Sequence, residues 1–511
     1  MSKLPRPIDG DRISDVVLIP FFGILQAIAL GCGVFASREA ITALHVGRIP
    51  DIATLSFLIL TGVIAAGLQW IARIRSEALG QSYAADLRIC LYTHLAGMSR
   101  DTLSARRIGA LSLRFVGDLS AARNWFGLGL PRILAAMMIL PGAAIVLWLL
   151  DPRIVFAGAA PILISLTLMI CLAIGLEARH RSLRGRRANI SITMMERIAV
   201  SPELDLMGRT ERELSDLRKN SQSLRQHAIA RNTRSGLLRT VPQIGAAVAG
   251  VALFWVAGRH GIAPGTIAAA LAFLTILVLP IRELAGAWDQ YCAWRIAREK
   301  ALRLLSNPSK PRRSLRRENA VTVQVRASEM SVEISAGQIT ELVGRTRRHA
   351  SALAAVIGGL DHTDDVTVTY NHQVAPLPAI AFIGERPTIL QGSLRRAVTL
   401  GLSPRPSDRK IKRALGAFDL QDVLDAVGGL KGRLREGARE LSASETLRLD
   451  LARAVLARPD LIVIDTSRLT ADPESVKLVD TLHDQPNATI VIAGDQTPTF
   501  SNARAIALNC C

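Results

Sequence analysis

Six stretches of the sequence are apolar over roughly the 20 residues that a helix needs to cross a bilayer. They run at about 15–37, 52–74, 130–150, 153–176, 238–258 and 264–285. Gly and Pro recur inside them, as at Pro141 and Pro280, and membrane helices tolerate both because neighbouring helices satisfy the freed backbone groups. A buried helix of a soluble domain is rarely apolar for so long. The series therefore predicts six membrane-spanning helices.

The links between these spans alternate in length. The links after the second and fourth spans are long and rich in arginine, whereas the other three are short and hold few basic residues. Cytoplasmic loops carry the excess of Lys and Arg, so both long loops and both termini are predicted to face the cytoplasm. Their regular apolar spacing also predicts that the helices continue well beyond the membrane.

The formal net charge of +19 comes almost entirely from arginine. In a soluble protein such a charge suggests a nucleic-acid partner, but in a membrane protein it reflects the cytoplasmic loops. No basic patch interleaved with aromatic residues accompanies this charge, so the prediction is an integral membrane protein with no nucleic-acid partner. The six cysteines are scattered without metal-ligand spacing. No cleavage motif follows the first apolar run, so that run is expected to be retained as a span.

A soluble domain is predicted to follow the sixth span. The stretch "SNPSKPRRSLRR" at 306–317 is basic, holds two prolines and lacks apolar periodicity, as a linker does. Beyond it, "IAFIG", "LIVID" and "TIVIAG" are apolar runs typical of buried parallel strands. The predicted division is a transmembrane domain at 1–302, a linker at 303–317 and an α/β domain at 318–511.

The stretch "ELVGRTRRHASALAAVIGGL" at 341–360 has the order of a phosphate-binding loop: an apolar strand ending at Gly344, and a small-residue helix predicted from Ser351. Such a loop wraps a phosphate in backbone N–H groups, which requires glycines. Its lysine neutralises the β- and γ-phosphates, and its Ser or Thr binds Mg²⁺. Here arginine, histidine and alanine stand in the middle of the loop.

The whole arrangement resembles the half-size ABC exporters, which have six spans, two long intracellular loops and a nucleotide-binding domain. "LGQSYAADLRICLYTHLAGMS" is similar to the family's first intracellular loop, and "MMERIAVSPELDLMGRTERE" to its second. "LREGARELSASETLRLDLARAVLARPDLIVIDTSRLTADPES" follows the region from the signature to Walker B. The resemblance implies a six-helix all-α transmembrane domain followed by an α/β P-loop NTPase-like domain, with ATP and Mg²⁺ as cofactors.

The resemblance also assigns positions in this sequence. Gly344, Thr346 and Ser351 fall on the phosphate loop, Ser442 on the signature, and Asp465 with Ser351 on the magnesium site. An alternative for Asp465 is a structural aspartate at a strand end. Within the phosphate loop, the two inner glycines and the lysine are replaced; the replacements are Arg347, His349 and Ala350.

Other family positions are replaced as well. Glu385 stands at the glutamine of the glutamine loop, and Ala443, Ser444 and Glu445 replace residues of the signature. Thr466 stands at the catalytic base after Walker B, and Asp495 at the switch histidine. The D-loop aspartate is retained as Asp472, and 321–337 contains no aromatic residue to stack on adenine. Arg347 and Arg348 could supply charge to a phosphate from another direction, or form a solvated turn. The substitutions predict no meaningful hydrolysis, and doubtful nucleotide binding, at this chain's own site.

Three functions remain open from the sequence. The chain could be the catalytically inactive member of a heterodimer with an ATPase-competent half-transporter. It could be a membrane scaffold or regulator that ATP does not drive, or a gene product without function. The spans hold few ionisable residues, so the expected pathway is apolar and fits lipids, hydrophobic peptides or drug-like molecules. The resemblance implies a bacterial inner membrane.

Overall fold

The computed structural model describes residues 4–10, 12–106, 108–309, 315–316, 320–327, 330–344, 346–363, 365–374, 377–466, 477–479, 481–482, 488–494 and 503–508. The chain divides into two units. The first comprises Met1–Ala96 and Ala105–Ser309, and the second comprises Gly97–Ser104 and Lys310–Cys511. The tip of the first long loop, residues 97–104, is therefore part of the second unit.

The helices in chain order are α1 Arg12–His45, α2 Ile52–Ala96, α3 Arg100–Ser104, α4 Ile108–Leu113, α5 Leu119–Asn124, α6 Leu130–Leu150, α7 Pro152–Ala173, α8 Leu176–Ile198, α9 Ser201–Leu206, α10 Thr210–His260, α11 Pro264–Leu305, α12 Arg347–Ile357, α13 Leu394–Val398, α14 Asp408–Ala417, α15 Gln421–Ala426 and α16 Ala443–Ala457. The strands are β1 Leu315–Arg316, β2 Val323–Ala327, β3 Met330–Ile334, β4 Ile339–Gly344, β5 Val366–Tyr370, β6 Leu377–Pro378, β7 Ile380–Ile383, β8 Gly392–Ser393, β9 Arg433–Leu434, β10 Leu461–Asp465, β11 Thr489–Gly494 and β12 Arg504–Leu508.

Six helical segments of the first unit are long and apolar enough to cross a membrane, which confirms the six predicted spans. They are α1, α2, the continuous segment Gly109–Leu150, α7, α10 and α11. Helix α10 has 51 residues, which at about 1.5 Å per residue exceeds twice the thickness of a bilayer's hydrocarbon core. The helices thus extend beyond their apolar stretches, as the loop pattern predicted.

Glycines allow the helices of the first unit to approach each other closely. A Cβ built on Gly245 would lie 1.8 Å from Ser165 Oγ, and one on Gly80 would lie 2.8 Å from the Cα of Gly127. Without a hydrophobic driving force between helices in lipid, such small-residue contacts supply the van der Waals packing. An apolar cluster draws on five of the spanning segments, through Val34, Leu147, Ile154, Leu253 and Phe273.

A five-stranded parallel sheet forms the centre of the second unit. Its order is β12-β4-β11-β10-β7, and a three-stranded antiparallel sheet has the order β3-β2-β5. Every residue of β10 is buried, because alternate side chains enter two apolar clusters. Ile462 and Ile464 enter one, and Leu461 and Val463 the other. A strand covered on both faces has to be a continuous apolar run, which is why "LIVID" was recognisable in the sequence.

Candidate functional site

The predicted nucleotide site lies at the carboxyl ends of three adjacent parallel strands. Val343 of β4 is paired with Gly494 of β11, and Ala493 of β11 with Asp465 of β10. The ends of β4 and β10 therefore flank the end of β11, and α12 packs against β10 and β11. Open α/β sheets bind ligands at this edge. Sequence positions more than a hundred residues apart are thereby brought to one edge.

The phosphate loop is short because Thr346 caps the helix that follows it. Thr346 has extended backbone angles, φ −135 and ψ 148, and α12 begins at Arg347. The amide of His349 donates to Thr346 Oγ1 at 3.4 Å and to the Thr346 carbonyl at 3.1 Å, and the amide of Ala350 donates to the same carbonyl at 3.3 Å. The helix starts four residues before the predicted Ser351, since an N-cap threonine satisfies amides of the first turn.

Ala350 occupies the position of the family's lysine, and it is part of the apolar core. Its side chain is 1% exposed and belongs to the cluster of Leu342 and Val491. A Cβ built on Gly344 would lie 3.2 Å from the Ala350 Cβ. The first residue of the loop thus lies directly against the seventh. Arg348 and His349 are exposed residues in the first turn of α12.

The end of β10 holds the two Walker B positions. Asp465 and Thr466 are each 2% exposed, and the Thr466 amide donates to the Ala493 carbonyl at 3.0 Å. The buried Thr466 hydroxyl has no hydrogen-bond partner among the described residues. A neutral hydroxyl does not accept a proton from water at neutral pH, so Thr466 lacks the basicity of a carboxylate.

Asp465 and Ser351 are the predicted magnesium ligands. No group of three or more His, Cys, Asp or Glu side chains that could hold a metal occurs in the described part of the chain. Mg²⁺ is usually bound through one or two carboxylates together with waters and substrate phosphates. One carboxylate and one hydroxyl fit that pattern when a nucleotide supplies the remaining oxygens, so metal binding here depends on nucleotide binding.

At the predicted signature position, Ser442 is hydrogen-bonded to Glu445 of the same chain. Ser442 is the N-cap of α16, where its hydroxyl accepts from the Glu445 amide at 3.1 Å. In return, the Ser442 amide donates to Glu445 Oε2 at 2.7 Å. This capping box places a negative charge at the positive end of the helix dipole. A phosphate approaching Ser442 would meet that carboxylate, and the S-x-x-E spacing at 442–445 was the sequence signal for it.

Glu385, at the glutamine-loop position, contacts the loop tip that belongs to the second unit. Arg100 Nη2 lies 3.7 Å from Glu385 Oε2, and its guanidinium lies 6.0 Å from the centre of the Phe382 ring. The backbone amides of Arg100 and Asp101 donate to the Leu360 carbonyl at 3.2 Å and to Asp361 Oδ1 at 3.1 Å. Residues 97–104 are thus fixed beside the glutamine-loop position by one ion pair and two backbone hydrogen bonds.

One buried acid beside the site was not anticipated from the sequence. Glu341, in the middle of β4, is 0% exposed, and a Cβ built on Gly494 would lie 2.8 Å from its Oε1. A lone acid in an apolar strand was the available signal. Asp472 and Asp495, at the D-loop and switch positions, lie outside the described residues.

The sequence and the fold of this chain are similar to those of known proteins. The uncharacterized ABC transporter ATP-binding protein YknV of Bacillus subtilis is 21% identical over 480 residues, which is 87% of this chain and 78% of the relative. A multidrug efflux ATP-binding/permease protein of Mycobacterium tuberculosis is 27% identical over 261 residues, 46% of this chain but only 21% of that protein.

A solved structure described as a bacterial Atm1-family ABC exporter with ATP bound superposes with a TM-score of 0.80. It covers 98% of this chain and 93% of the exporter at 15% identity, which demonstrates a shared fold. The family described as "ABC transporter transmembrane region" matches residues 18–281. Because this match spans slightly more than half of an integral membrane chain with six spanning helices, the chain belongs to the ABC transporter family and has the exporter architecture.

Proposed function

We propose that this chain is the catalytically inactive half of an ABC exporter and works with an ATPase-competent half-transporter. The observation that carries the proposal is the closed phosphate loop. The amides of His349 and Ala350 bond to Thr346, and Ala350 is buried against Gly344. A triphosphate needs such amides, and here they are not available without unwinding the first turn of α12; Ala350 also supplies no cation at the predicted lysine position.

The Walker B end supports the same conclusion independently. Without a carboxylate at 466, the site lacks a base for the attacking water, and loss of a general base typically reduces the rate by about 10²–10⁴. The energy for transport would then come from the partner's site. This chain would contribute half of the transmembrane pathway, together with the loop tip held by Glu385.

The first experiment measures what accompanies the chain and what the chain does alone. The full chain is purified from native membranes, and co-purifying proteins are identified. We expect an ABC half-transporter with intact Walker motifs, vanadate-sensitive ATPase activity in the pair, and no Mg²⁺-dependent ATP binding by the isolated chain. Tight ATP binding with turnover by the isolated chain would refute the proposal.

A gain-of-binding variant makes the test sharper. The triple substitution Arg347→Gly, His349→Gly and Ala350→Lys restores the family's residues at positions 347, 349 and 350, and we expect it to acquire Mg²⁺-dependent ATP binding. Ala350→Lys alone is the matched control. It should not bind ATP, because position 350 is buried against Gly344. Equal binding by the single and triple variants would contradict the closed-loop explanation.

The capped signature favours a second candidate, a scaffold or regulator that is not driven by ATP. Even a competent partner would present its nucleotide to Ser442 and Glu445, which are bonded to each other. The substitution Glu445→Gln in the co-purified pair separates the two functions. A change in the pair's ATPase rate means that the composite site uses this signature, whereas an unchanged rate favours the scaffold.

The proposed setting is a bacterial inner membrane with both termini and the α/β domain in the cytoplasm. The arginine-rich links after the second and fourth spans support this orientation. Protease digestion of intact spheroplasts tests it. A tag at either terminus should be protected until the membrane is permeabilised, and digestion of a terminal tag in intact spheroplasts would reverse the orientation.

A further inference from the structure

A cavity of about 430 Å³ in the first unit gathers ionisable side chains from three of the predicted spans. It is lined by α1, α2, α6 and α11 and by the π-helical turn Trp125–Gly129. Its volume is within the range of pockets that hold small-molecule ligands. Arg73, Arg132 and Glu283 reach it from α2, α6 and α11. An ionisable residue inside a membrane span marks a functional site by default.

Five polar side chains that line this cavity have no hydrogen-bond or ion-pair partner among the described residues. No hydrogen bond or ion pair joins Arg73, Arg132 or Glu283 to any described residue, and the same holds for Gln26 and Gln69. Arg132, Glu283 and both glutamines are half-buried. Leaving such groups unpaired beside apolar walls costs free energy, so the arrangement favours a ligand that supplies the missing partners.

The charges in the cavity are of both signs but do not neutralise each other. Arg132 Nη1 lies 3.1 Å from where a Cβ of Gly286 would be, which puts the guanidinium against α11 one turn from Glu283. Yet no ion pair forms between them. Glu77, a fourth charged group, has its own neighbours: Arg123 at 4.0 Å and Gln81 Nε2 at 2.7 Å.

The remaining wall of the cavity is apolar. It includes Ile19, Leu30, Ile139, Ile276 and Leu279. Gln69 and Arg73 are four residues apart on α2, so they lie on one face of that helix. The site therefore combines an apolar surface with two cations, one unpaired carboxylate and two amides. A ligand matching it has an apolar body, an anionic group and an ammonium group.

We propose that this cavity binds a zwitterionic amphiphile, with Arg73 and Arg132 facing its anionic group and Glu283 facing its ammonium group. This inference rests on the proposed transport function, because it names the class of substrate that the chain would carry. Two sources have this chemistry: a short apolar peptide with free termini, and a lipid with a phosphoethanolamine headgroup. Both carry an anionic group and an ammonium group on an apolar body.

Binding to the full chain in amphipol tests the proposal without ATP and without a partner subunit. The first series is the peptide Leu-Phe-Leu with free termini, its N-acetyl form and its C-terminal amide, titrated by calorimetry. The second probe is lauroyl lysophosphatidylethanolamine below its critical micelle concentration. We expect the free peptide, the lysolipid or both to bind, and each blocked peptide to bind at least tenfold more weakly than the free form if the peptide is the ligand.

Three variants assign the charges to residues. In Arg132→Gln, the C-terminal amide should bind as tightly as the free peptide. In Glu283→Gln, the N-acetyl peptide should bind as tightly as the free peptide. Arg153→Gln is the matched control, since Arg153 lies at the start of α7 and does not line the cavity. If a variant does not fold, the wild-type series still decides whether binding requires both charges.

The outcomes are distinct. Selective binding of the peptide identifies a peptide-like substrate, and selective binding of the lysolipid identifies a lipid headgroup. Equal binding of all three peptide forms, no binding of either probe up to millimolar concentration, or a charge preference unchanged in Arg132→Gln and Glu283→Gln would each overturn the proposal. Failure of the pairing experiment would leave these binding results unaffected, and failure here would leave the partner assignment standing.

Discussion

At the scale of single residues, the candidate nucleotide site is shaped by side chains that fill or cap positions where a phosphate would bind. Ala350 is in the core, Thr346 holds two amides, and Glu445 holds the amide of Ser442. Each interaction is local, and each stabilises the chain without a ligand. The replaced residues thus have structural roles of their own.

Gly494 has no room for a side chain, because its Cβ would lie 2.8 Å from the carboxylate of the fully buried Glu341. We expect Gly494→Ala to lower the stability of the second unit by about 1–3 kcal/mol through overpacking. Thermal unfolding of the full chain measures it. Gly416→Ala is the control, because Gly416 lies in α14 with nothing within 4 Å of its Cβ position. Equal melting of the two variants would contradict the clash.

At the scale of elements, the N-cap residues of two helices differ in whether their side chains accept a hydrogen bond from the first turn of the helix. Ser442 and Ser407 are both exposed N-cap serines, at α16 and α14. Only Ser442 accepts a hydrogen bond from its helix. The capping box could be predicted from the spacing of Ser442 and Glu445 alone, since the interaction spans a single turn. Ser407 has no Glu or Gln three residues later, so the sequence gives no capping-box signal for α14.

This pair gives a matched prediction. Ser442→Ala should destabilise the second unit by about 1 kcal/mol, because it leaves an amide of the first turn unpaired. Ser407→Ala should have a smaller effect, since no cap bond is lost. Chemical unfolding followed by a probe in the second unit compares the two. No loss of stability from Ser442→Ala would show that the capping box does not stabilise α16.

A largely buried ion pair lies within α16, and its arginine is hydrogen-bonded to the backbone of α13. Arg453 Nη1 lies 3.2 Å from Asp450 Oδ1, and Arg453 Nε donates to the Ala397 carbonyl at 2.9 Å. Burial lowers the pKa of Arg453, and the Asp450 carboxylate opposes that shift. The guanidinium is therefore charged at any pH near neutrality, and its pairing depends on Asp450 remaining in place.

We expect Arg453→Met to lower the free energy of unfolding by about 1–3 kcal/mol, because it removes the guanidinium that pairs with the buried Asp450 carboxylate. The double variant Arg453→Met with Asp450→Leu should recover part of that loss, since apolar groups then replace both members of the ion pair. The measurement is the free energy of unfolding of the wild type, the single variant and the double variant. A double variant less stable than the single one would mean that Asp450 is held mainly by other groups.

At the scale of the whole molecule, the first unit depends on a polar network that joins three long helices. Asp289 of α11 lies 3.2 Å from His180 Nε2 of α8, and accepts from Ser235 Oγ at 2.6 Å and Arg239 Nη2 at 2.7 Å, both on α10. His180, Ser235 and Asp289 are all buried. The network fixes how these three helices pack together.

Asp289→Ala should destabilise the first unit, because losing one partner of a buried polar group costs about 1–3 kcal/mol for each group left unsatisfied. Asp289→Asn keeps the shape and an acceptor oxygen, so it should melt between the wild type and Asp289→Ala. The melting temperature of the full chain in detergent is the measurement. Melting of Asp289→Ala at the wild-type temperature would mean that the network adds no stability.

The sequence by itself determined the class of fold, because spanning helices and buried parallel strands are set by apolar patterns that are local in the chain. It also predicted which family positions are substituted, from the resemblance of its motifs. The start of α12 at Arg347 was missed, since a cap at Thr346 looks no different in sequence from a loop threonine.

Only the tertiary structure decided which distant residues meet. Arg100 meets Glu385, and Glu341 faces Gly494. Arg73, Arg132 and Glu283 each look like an isolated charge in its own span, but they line one cavity. The physical reason is that the direction of a charged side chain depends on how its helix is rotated against its neighbours. That rotation is set by packing contacts such as Gly245 against Ser165, which no single apolar stretch encodes.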